Sequence, residues 1–280
     1  VTARGSKFPA PLVLANMTIG DATPIELIDA AAAGGFDAIT LRIVAPSPQH
    51  AIQPVIGNEP LLRAIAEAVD ATGVRIQDIG GIWLAPDTEV ENFVPAFETG
   101  QRLGATNFMM GANDPDEMRA TDNLARFCEL ARPFGIKAMV EFIPYNHTRS
   151  LVDACRMVAA VGSDAAGVVV DALHLDRSGA LPADLATIDP ALIGYCQICD
   201  AVAERPLLAD LPVEARTGRL YPGQGALPLM ALLDVIPDGI PIGVEAPTAA
   251  YADLSAVEKG RLCGLATHMF LEHYMQRGSQ

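Results

Sequence analysis

Basic side chains are scarce in this sequence: 19 Lys and Arg stand against 34 Asp and Glu, for a formal net charge of -15. An acidic surface repels a phosphate backbone unless a basic patch offsets it, and the cations here are scattered, so no nucleic-acid partner is expected. Long apolar runs are missing too. No stretch approaches the roughly 20 residues that span a bilayer, and the first residues lack the charged-then-apolar pattern of a signal peptide. No membrane partner and a cytoplasmic location follow as expectations. Cysteine is limited to five, an odd number that builds no disulfide framework and fits a reducing compartment. Cys196 and Cys199 form a CxxC, but on a strand positions three apart point to opposite faces, which reads as buried structural thiols.

What is present is a regular alternation. Short apolar runs with strand character occur at Leu12 to Met17, Asp37 to Ile43, Val74 to Ile79, Asn107 to Met110, Lys137 to Phe142, Gly167 to Asp171, Gly194 to Cys199 and Ile240 to Glu245. Amphipathic stretches lie between them: Ile25 to Ala33, Pro60 to Thr72, Glu89 to Leu103, Asp116 to Arg132, Ser150 to Val161, Ala226 to Leu233 and Ser255 to Gln276. Eight βα pairs in 280 residues predict one α/β domain over 1–280, a (β/α)8 TIM barrel. An open doubly wound sheet would usually carry a glycine fingerprint after its first strand, and none is there. The glycine-rich run Gly218 to Gly225 lacks the Lys-Ser/Thr of a P-loop and reads as an ordered loop over the barrel mouth. The stretch Ala201 to Tyr221 reads as irregular, a lid or binding element.

In a parallel barrel the catalytic groups sit at the carboxyl ends of the strands. Strand five gives Ala-Met-Val-Glu141, strand six Val-Val-Val-Asp171, strand seven Tyr-Cys-Gln197 and strand eight Ile-Gly-Val-Glu245. A carboxylate after an apolar strand run loses hydration, and three converging carboxylates repel one another. One divalent metal ion held by Glu141, Asp171, Gln197 and Glu245 answers both problems. An all-oxygen donor set favours Mn2+ or Mg2+, with Co2+ and Zn2+ as further candidates. The plainer alternative is that each acid caps the helix that follows its strand.

These residues, with the segments Glu141-Phe-Ile-Pro144, Asp171-Ala-Leu-His-Leu-Asp-Arg-Ser-Gly179, Gln197-Ile-Cys-Asp-Ala201, Arg219-Leu-Tyr-Pro-Gly-Gln-Gly225 and Val244-Glu-Ala-Pro247, resemble the sugar phosphate isomerase/epimerase superfamily of xylose isomerase-like barrels, also called the AP-endonuclease-family-2 barrels. The resemblance implies a metal-dependent isomerase or epimerase that removes a proton beside a carbonyl and passes through an enediolate, with Glu141 and Glu245 taking and returning it. It also implies that Arg219, or Arg216 in its place, grips a substrate oxygen, and that His174 bonds a substrate hydroxyl or serves as acid or base when that hydroxyl leaves. Ketose 3-epimerases of this group usually carry His as the third ligand, whereas hydroxypyruvate isomerases and 3-dehydroshikimate dehydratases are similar to this chain in having Gln there. Gln224 also departs from the Glu that many relatives place in that loop. A dehydratase and a non-catalytic ligand-binding barrel therefore stay open beside the isomerase. The DNA-repair branch, with its His-rich zinc site and basic groove, does not suit five histidines and an acidic excess.

Three further residues belong to the expected mouth. Arg42, at the end of strand two, suits a carboxylate or phosphate, or else pairs with Asp78 at the end of strand three. Trp83 and Tyr145 suit stacking on a sugar face, or rim packing. His50, His147, His268 and His273 read as structural. A small polyol or keto acid is the expected partner, and Leu262, Met269 and Tyr274 on the last helix suit either a homo-oligomer contact or the core.

Overall fold

The computed structural model describes residues 10–46 and 52–277, so His50 lies outside the described residues. Within them eight strands form one sheet: β1 (Leu12–Leu14), β2 (Ala38–Leu41), β3 (Arg75–Leu84), β4 (Asn107–Ala112), β5 (Lys137–Glu141), β6 (Ala166–Asp171), β7 (Ile193–Ile198) and β8 (Ile242–Val244). Each pairs in parallel with the next, and β8 returns to β1 with Ile242 opposite Leu12, so the sheet closes into the expected barrel. The helices are α1 (Asn16–Ile19), α2 (Pro24–Gly34), α3 (Glu59–Thr72), α4 (Val94–Arg102), α5 (Glu117–Ala131), α6 (Leu151–Val161), α7 (Ala172–Arg177), α8 (Leu211–Thr217), α9 (Leu229–Leu233) and α10 (Ala256–Arg277).

Local chemistry punctuates these elements. Thr23 and Glu26 form a reciprocal capping box at the start of α2, Pro24 supplies the preset φ of a first turn, and Gly35 ends the helix in the left-handed region at φ 73°. Ser150 and Asp153 form the same box for α6. The stretch Ala201 to Tyr221 is not wholly irregular: α8 forms within it, with Pro212 in its first turn. The short helix α7 was also absent from the sequence pattern, because its start depends on the Asp171 side chain accepting from the His174 N–H at 2.8 Å.

Period-two alternation divides the core in two. Leu12, Leu14, Phe108, Met110, Ala138, Val140, Val168 and Val170 turn outward against the helices. Their strand neighbours Val13, Met109, Met139, Val169 and Tyr195, with Ala38, pack together inside the barrel. The register supports this division, with Val169 opposite Tyr195 and Met139 opposite Met109.

Strand β3 departs from expectation. Gly80 and Gly81 take φ of 107° and 93°, and the β3–β4 register shifts between Gly80 and Ile82, so the strand bulges and continues to Leu84 where the sequence suggested a stop at Ile79. Asp78 is consequently inside the barrel and not at its mouth, fully buried. Its Oδ2 accepts from the Tyr195 hydroxyl at 3.0 Å and the Thr40 hydroxyl at 3.1 Å, while Oδ1 has no partner. The expected Arg42–Asp78 pair does not form, because the bulge sinks the carboxyl below the guanidinium's level and the two hydroxyls satisfy it there. Burial pushes Asp78 up from 3.8 to about 8, against the two hydroxyl bonds.

Helix α10 closes the outer ring against α2 through bare glycines. A Cβ at Gly264 would fall on the Gly34 carbonyl, and one at Gly260 on the Ala30 carbonyl. On α10, Leu262 and Met269 are exposed, whereas Tyr274 packs against the core. All five cysteines are free and buried. No helix among the described residues is long and apolar enough to cross a membrane.

Two outcomes follow for stability. Gly264→Ala should lower the unfolding free energy by about 1–3 kcal/mol in urea titrations, since one extra methyl must push two helices apart. Asp78→Asn tests the buried acid. A carboxyl raised by folding keeps its proton while the unfolded chain loses one, so its contribution declines as pH climbs from 3.8 towards about 8. The melting temperature of the Asn variant should therefore gain on wild type steadily across that window; a constant gap between the two curves would contradict the assignment.

Candidate active site

The same alternation that fills the barrel interior builds the site one step higher. Two residues beyond inward-facing Met139, Val169, Tyr195 and Gly243 come Glu141, Asp171, Gln197 and Glu245. Asp171 lies opposite Gln197, and Gln197 opposite Gly243. All four expected ligands thus project to one end of the barrel.

Their contacts are unequal. Glu141, Asp171 and His174 offer atoms within 4.8 Å of one another, a group able to hold a metal ion. His174 Nε2 is 3.8 Å from Glu141 Oε1, so His174 joins the ligand group, a role the sequence reading did not give it. Glu245 stands to the side, reached by the Gln197 amide and by Arg219. Arg219 is 1% exposed and sits among the acids. Its Nη1 donates to Asp171 Oδ2 at 2.6 Å and to the Glu245 carbonyl at 2.9 Å, its Nε donates to the Ala215 carbonyl at 3.0 Å, and its Nη2 lies 3.3 Å from Glu245 Oε2. Arg219 is a brace between strand ends as much as a cavity wall. Asp171 both caps α7 and meets Arg219, so the capping alternative and the site alternative are true of one side chain.

The electrostatics follow from crowding. Burial raises Glu141 well above the usual carboxylate range, and the charges of Glu245 and Asp171 add to it. Glu245 is raised by burial against the pull of Arg219. Burial also works on Asp171, yet the Arg219 charge and His174 hold it below its usual value. Burial, reinforced by Arg219, pushes His174 down to about 4, so its imidazole is neutral. The Arg219 Nη2 group lies 3.4 Å from Nε2, which makes that nitrogen the acceptor and leaves the proton on Nδ1.

Among the four expected ligands, two buried acceptors have no hydrogen-bond partner: Glu141 Oε1 and Gln197 Oε1. Such oxygens are costly unless a donor or a cation meets them. Fully ionised, the three carboxylates and the Arg219 guanidinium would carry two negative charges, which a divalent cation can offset in place of the protons that burial favours on Glu141 and Glu245. The donor set and its vacant acceptors fit a hard or borderline metal ion.

A cavity of about 410 Å3 opens above, lined by Glu141, Gln197, Glu245, His174, Arg219 and the expected mouth residues Arg42, Trp83, Tyr145 and Arg216. Trp83 lies against Gly111, where a Cβ would strike its ring, and Tyr145 meets His174 edge-on with centroids 5.9 Å apart. Asn16 and Thr40 also line the cavity and were missed. Asn16 was hidden because strand one was expected to run through it to Met17, whereas β1 ends at Leu14. Gln224 is remote in role: its Oε1 accepts from the Tyr221 N–H, and Asp200 holds the same loop through Gly223.

Comparison with known proteins agrees with this architecture. Residues 28–261 match the model of the xylose isomerase-like TIM barrel family. An inosose isomerase of Halalkalibacterium halodurans is 31% identical over 142 residues, 48% of this chain and 48% of that protein. The chain spans about half the length of the curated relatives it matches. The crystal structure of an IOLI protein with a bound zinc atom superposes with a TM-score of 0.77 at 20% identity, covering 94% of this chain and 99% of that one. A probable 3-DHS dehydratase, AsbF of Bacillus anthracis, superposes at 0.70 with 16% identity, covering 90% and 98%. With more than four-fifths of its length inside the family model and the closed barrel to match, the chain belongs to the xylose isomerase-like TIM barrel family.

Proposed function

We propose that this protein is a divalent-metal-dependent isomerase or epimerase of a small polyhydroxylated carbonyl compound. The observation that carries the reading is the pair of partnerless acceptors, Glu141 Oε1 and Gln197 Oε1, in a pocket shared with the carboxylates of Asp171 and Glu245. The similarity to an inosose isomerase supports it. Glu141, Asp171, Gln197 and Glu245 would hold the ion, Mn2+ or Mg2+ by their oxygens, with His174 extending the choice to Co2+ or Zn2+. When bound, the ion would polarise a substrate carbonyl and acidify the neighbouring C–H.

The side chains have distinct tasks. Glu141, which must first lose the proton that burial favours, takes the proton beside the carbonyl. Glu245, across the cavity, returns a proton to the neighbouring carbon or to the opposite face; the two exchange roles in the reverse direction. Arg219 keeps Asp171 ionised and fixes the Glu245 carboxylate. Trp83 and Tyr145 shield the reacting carbons from water. Neutral His174 offers the one lone pair of Nε2, which faces Arg219, to a substrate hydroxyl when it does not ligate the ion. The contact between His174 and Glu141 also favours a second reading, a dehydratase of the 3-dehydroshikimate type, in which a proton passes to a departing hydroxyl. The imidazole carries no proton on Nε2, which ranks that reading second. The five buried free thiols suit a reducing, cytoplasmic setting.

Metal-loaded protein incubated in D2O with inosose, ketoses or 3-dehydroshikimate separates the readings. Solvent deuterium should enter the carbon skeleton without new ultraviolet absorbance; absorbance of an unsaturated product would establish dehydration, and binding without exchange would leave a non-catalytic barrel. Glu245→Gln should lower kcat by about 10²–10⁴-fold, and unchanged turnover would refute its role. Removing the metal with a chelator should abolish exchange. Because Glu141 must shed a proton held by burial before it can ligate, apparent Mn2+ affinity should climb as pH rises above the ordinary carboxylate range, with protons released to the buffer. Calorimetry in buffers of different ionisation enthalpy reads that release directly.

A further inference from the structure

Apart from exposed Arg216 at the rim, the cavity holds one guanidinium that the mechanism above leaves unused. Other buried arginines are matched: Arg219 meets Asp171 at 2.6 Å, and Arg177 meets Glu214 at 2.6 Å and Asp176 at 2.7 Å. Arg42 is half-buried, forms no ion pair or hydrogen bond among the described residues, and buries its Nε without an acceptor. It lines the same cavity as Glu141, His174 and Glu245, from the β2 side of the barrel.

The backbone makes room for it. Gly81 sits under the guanidinium at φ +93°, and a Cβ there would stand 3.0 Å from Nη2 and 3.2 Å from Nε. Two successive positive-φ glycines, Gly80 and Gly81, bend β3 to open that space. Glu245 exerts its attraction on Arg42 from beyond ion-pair distance, which leaves a gap between the two. A desolvated guanidinium fork with a vacant edge, facing a substrate cavity, is built to receive a planar pair of oxygens.

We infer that Arg42 binds a carboxylate on the substrate, so that the compound acted on is a polyhydroxylated keto acid and not a neutral sugar. The inference rests on the proposed reaction and specifies its substrate class. A carboxylate suits the place better than a phosphate. It carries one charge and two coplanar oxygens, matching a single fork. A phosphate near −2 would face the charges of Glu141, Asp171 and Glu245 with Arg42 as its one buried free donor. Arg216, exposed on α8, is at the rim and adds attraction without enclosing the group.

Three probes identical from C2 to C6 test this: D-fructose, 2-keto-D-gluconate and D-fructose 1-phosphate, which carry a hydroxymethyl, a carboxylate and a phosphate at or on C1. Their binding to the metal-loaded protein is measured by calorimetry. The keto acid should bind at least tenfold more tightly than fructose, and Arg42→Gln should cost the acid at least tenfold more than it costs fructose, with Arg42→Lys restoring part of the difference. Equal binding of acid and fructose by wild type, a preference for the acid that survives Arg42→Gln, or tighter binding of fructose 1-phosphate than of the keto acid would each overturn the assignment. The wild-type comparison needs no variant to fold. Loss of carboxylate preference, or failure of all three probes to bind, with deuterium exchange intact sinks this inference alone; absence of exchange with every candidate substrate sinks the isomerase reading with it.

Discussion

Three largely buried carboxylates gathered into one pocket govern this structure. Water would ordinarily stabilise each of them, and the barrel removes it, so their charge has to be met by protein groups, by protons or by a bound cation. Arg219 meets part of it. The guanidinium ties the end of β6 to the end of β8 and to the carbonyl of Ala215, and its reach of 48 residues along the chain makes the loop after β7 part of the site. What Arg219 leaves unmet appears as raised carboxyls at Glu141 and Glu245 and as acceptor oxygens without donors.

The barrel delivers these groups by a rule as simple as counting by two. Interior side chains at one level belong to the core, and those two residues further on reach the mouth. That is why Glu141, Asp171, Gln197 and Glu245 could be read from the sequence: each follows an apolar strand run at the inward parity. Arg42, Trp83, Tyr145 and Arg216 also reach the cavity named for them. What escaped the sequence was set by contacts between distant segments. Asp78 looked like a strand-end acid, because two glycines in a row resemble a stop signal, and only the pairing with β4 turns them into a bulge. The neutral state of His174 and the interior place of Arg219 depend on neighbours 30 or more residues away, which no local pattern records.

The interior carries a second polar layer beneath the first. Asp78, Thr40 and Tyr195 form a small hydrogen-bonded set under the carboxylate group, and Glu245 reaches Asp78 electrostatically. Polar groups at this depth are stable only while their partners hold still, so the floor of the site inherits the rigidity of three strands, β2, β3 and β7. The carboxylates at the barrel mouth are therefore supported from below as well as from the sides.

Closure of the sheet also sets a timetable. β1 pairs with β8, about 230 residues later, so at ribosomal speeds of about 5–20 residues per second the first strand waits on the order of 10–50 s for its second neighbour. Throughout that interval the nascent sheet has a bare, apolar rim able to join the wrong chain. The hazard ends only when Ile242 to Val244 emerge, which makes the last strand the guardian of the first during biogenesis.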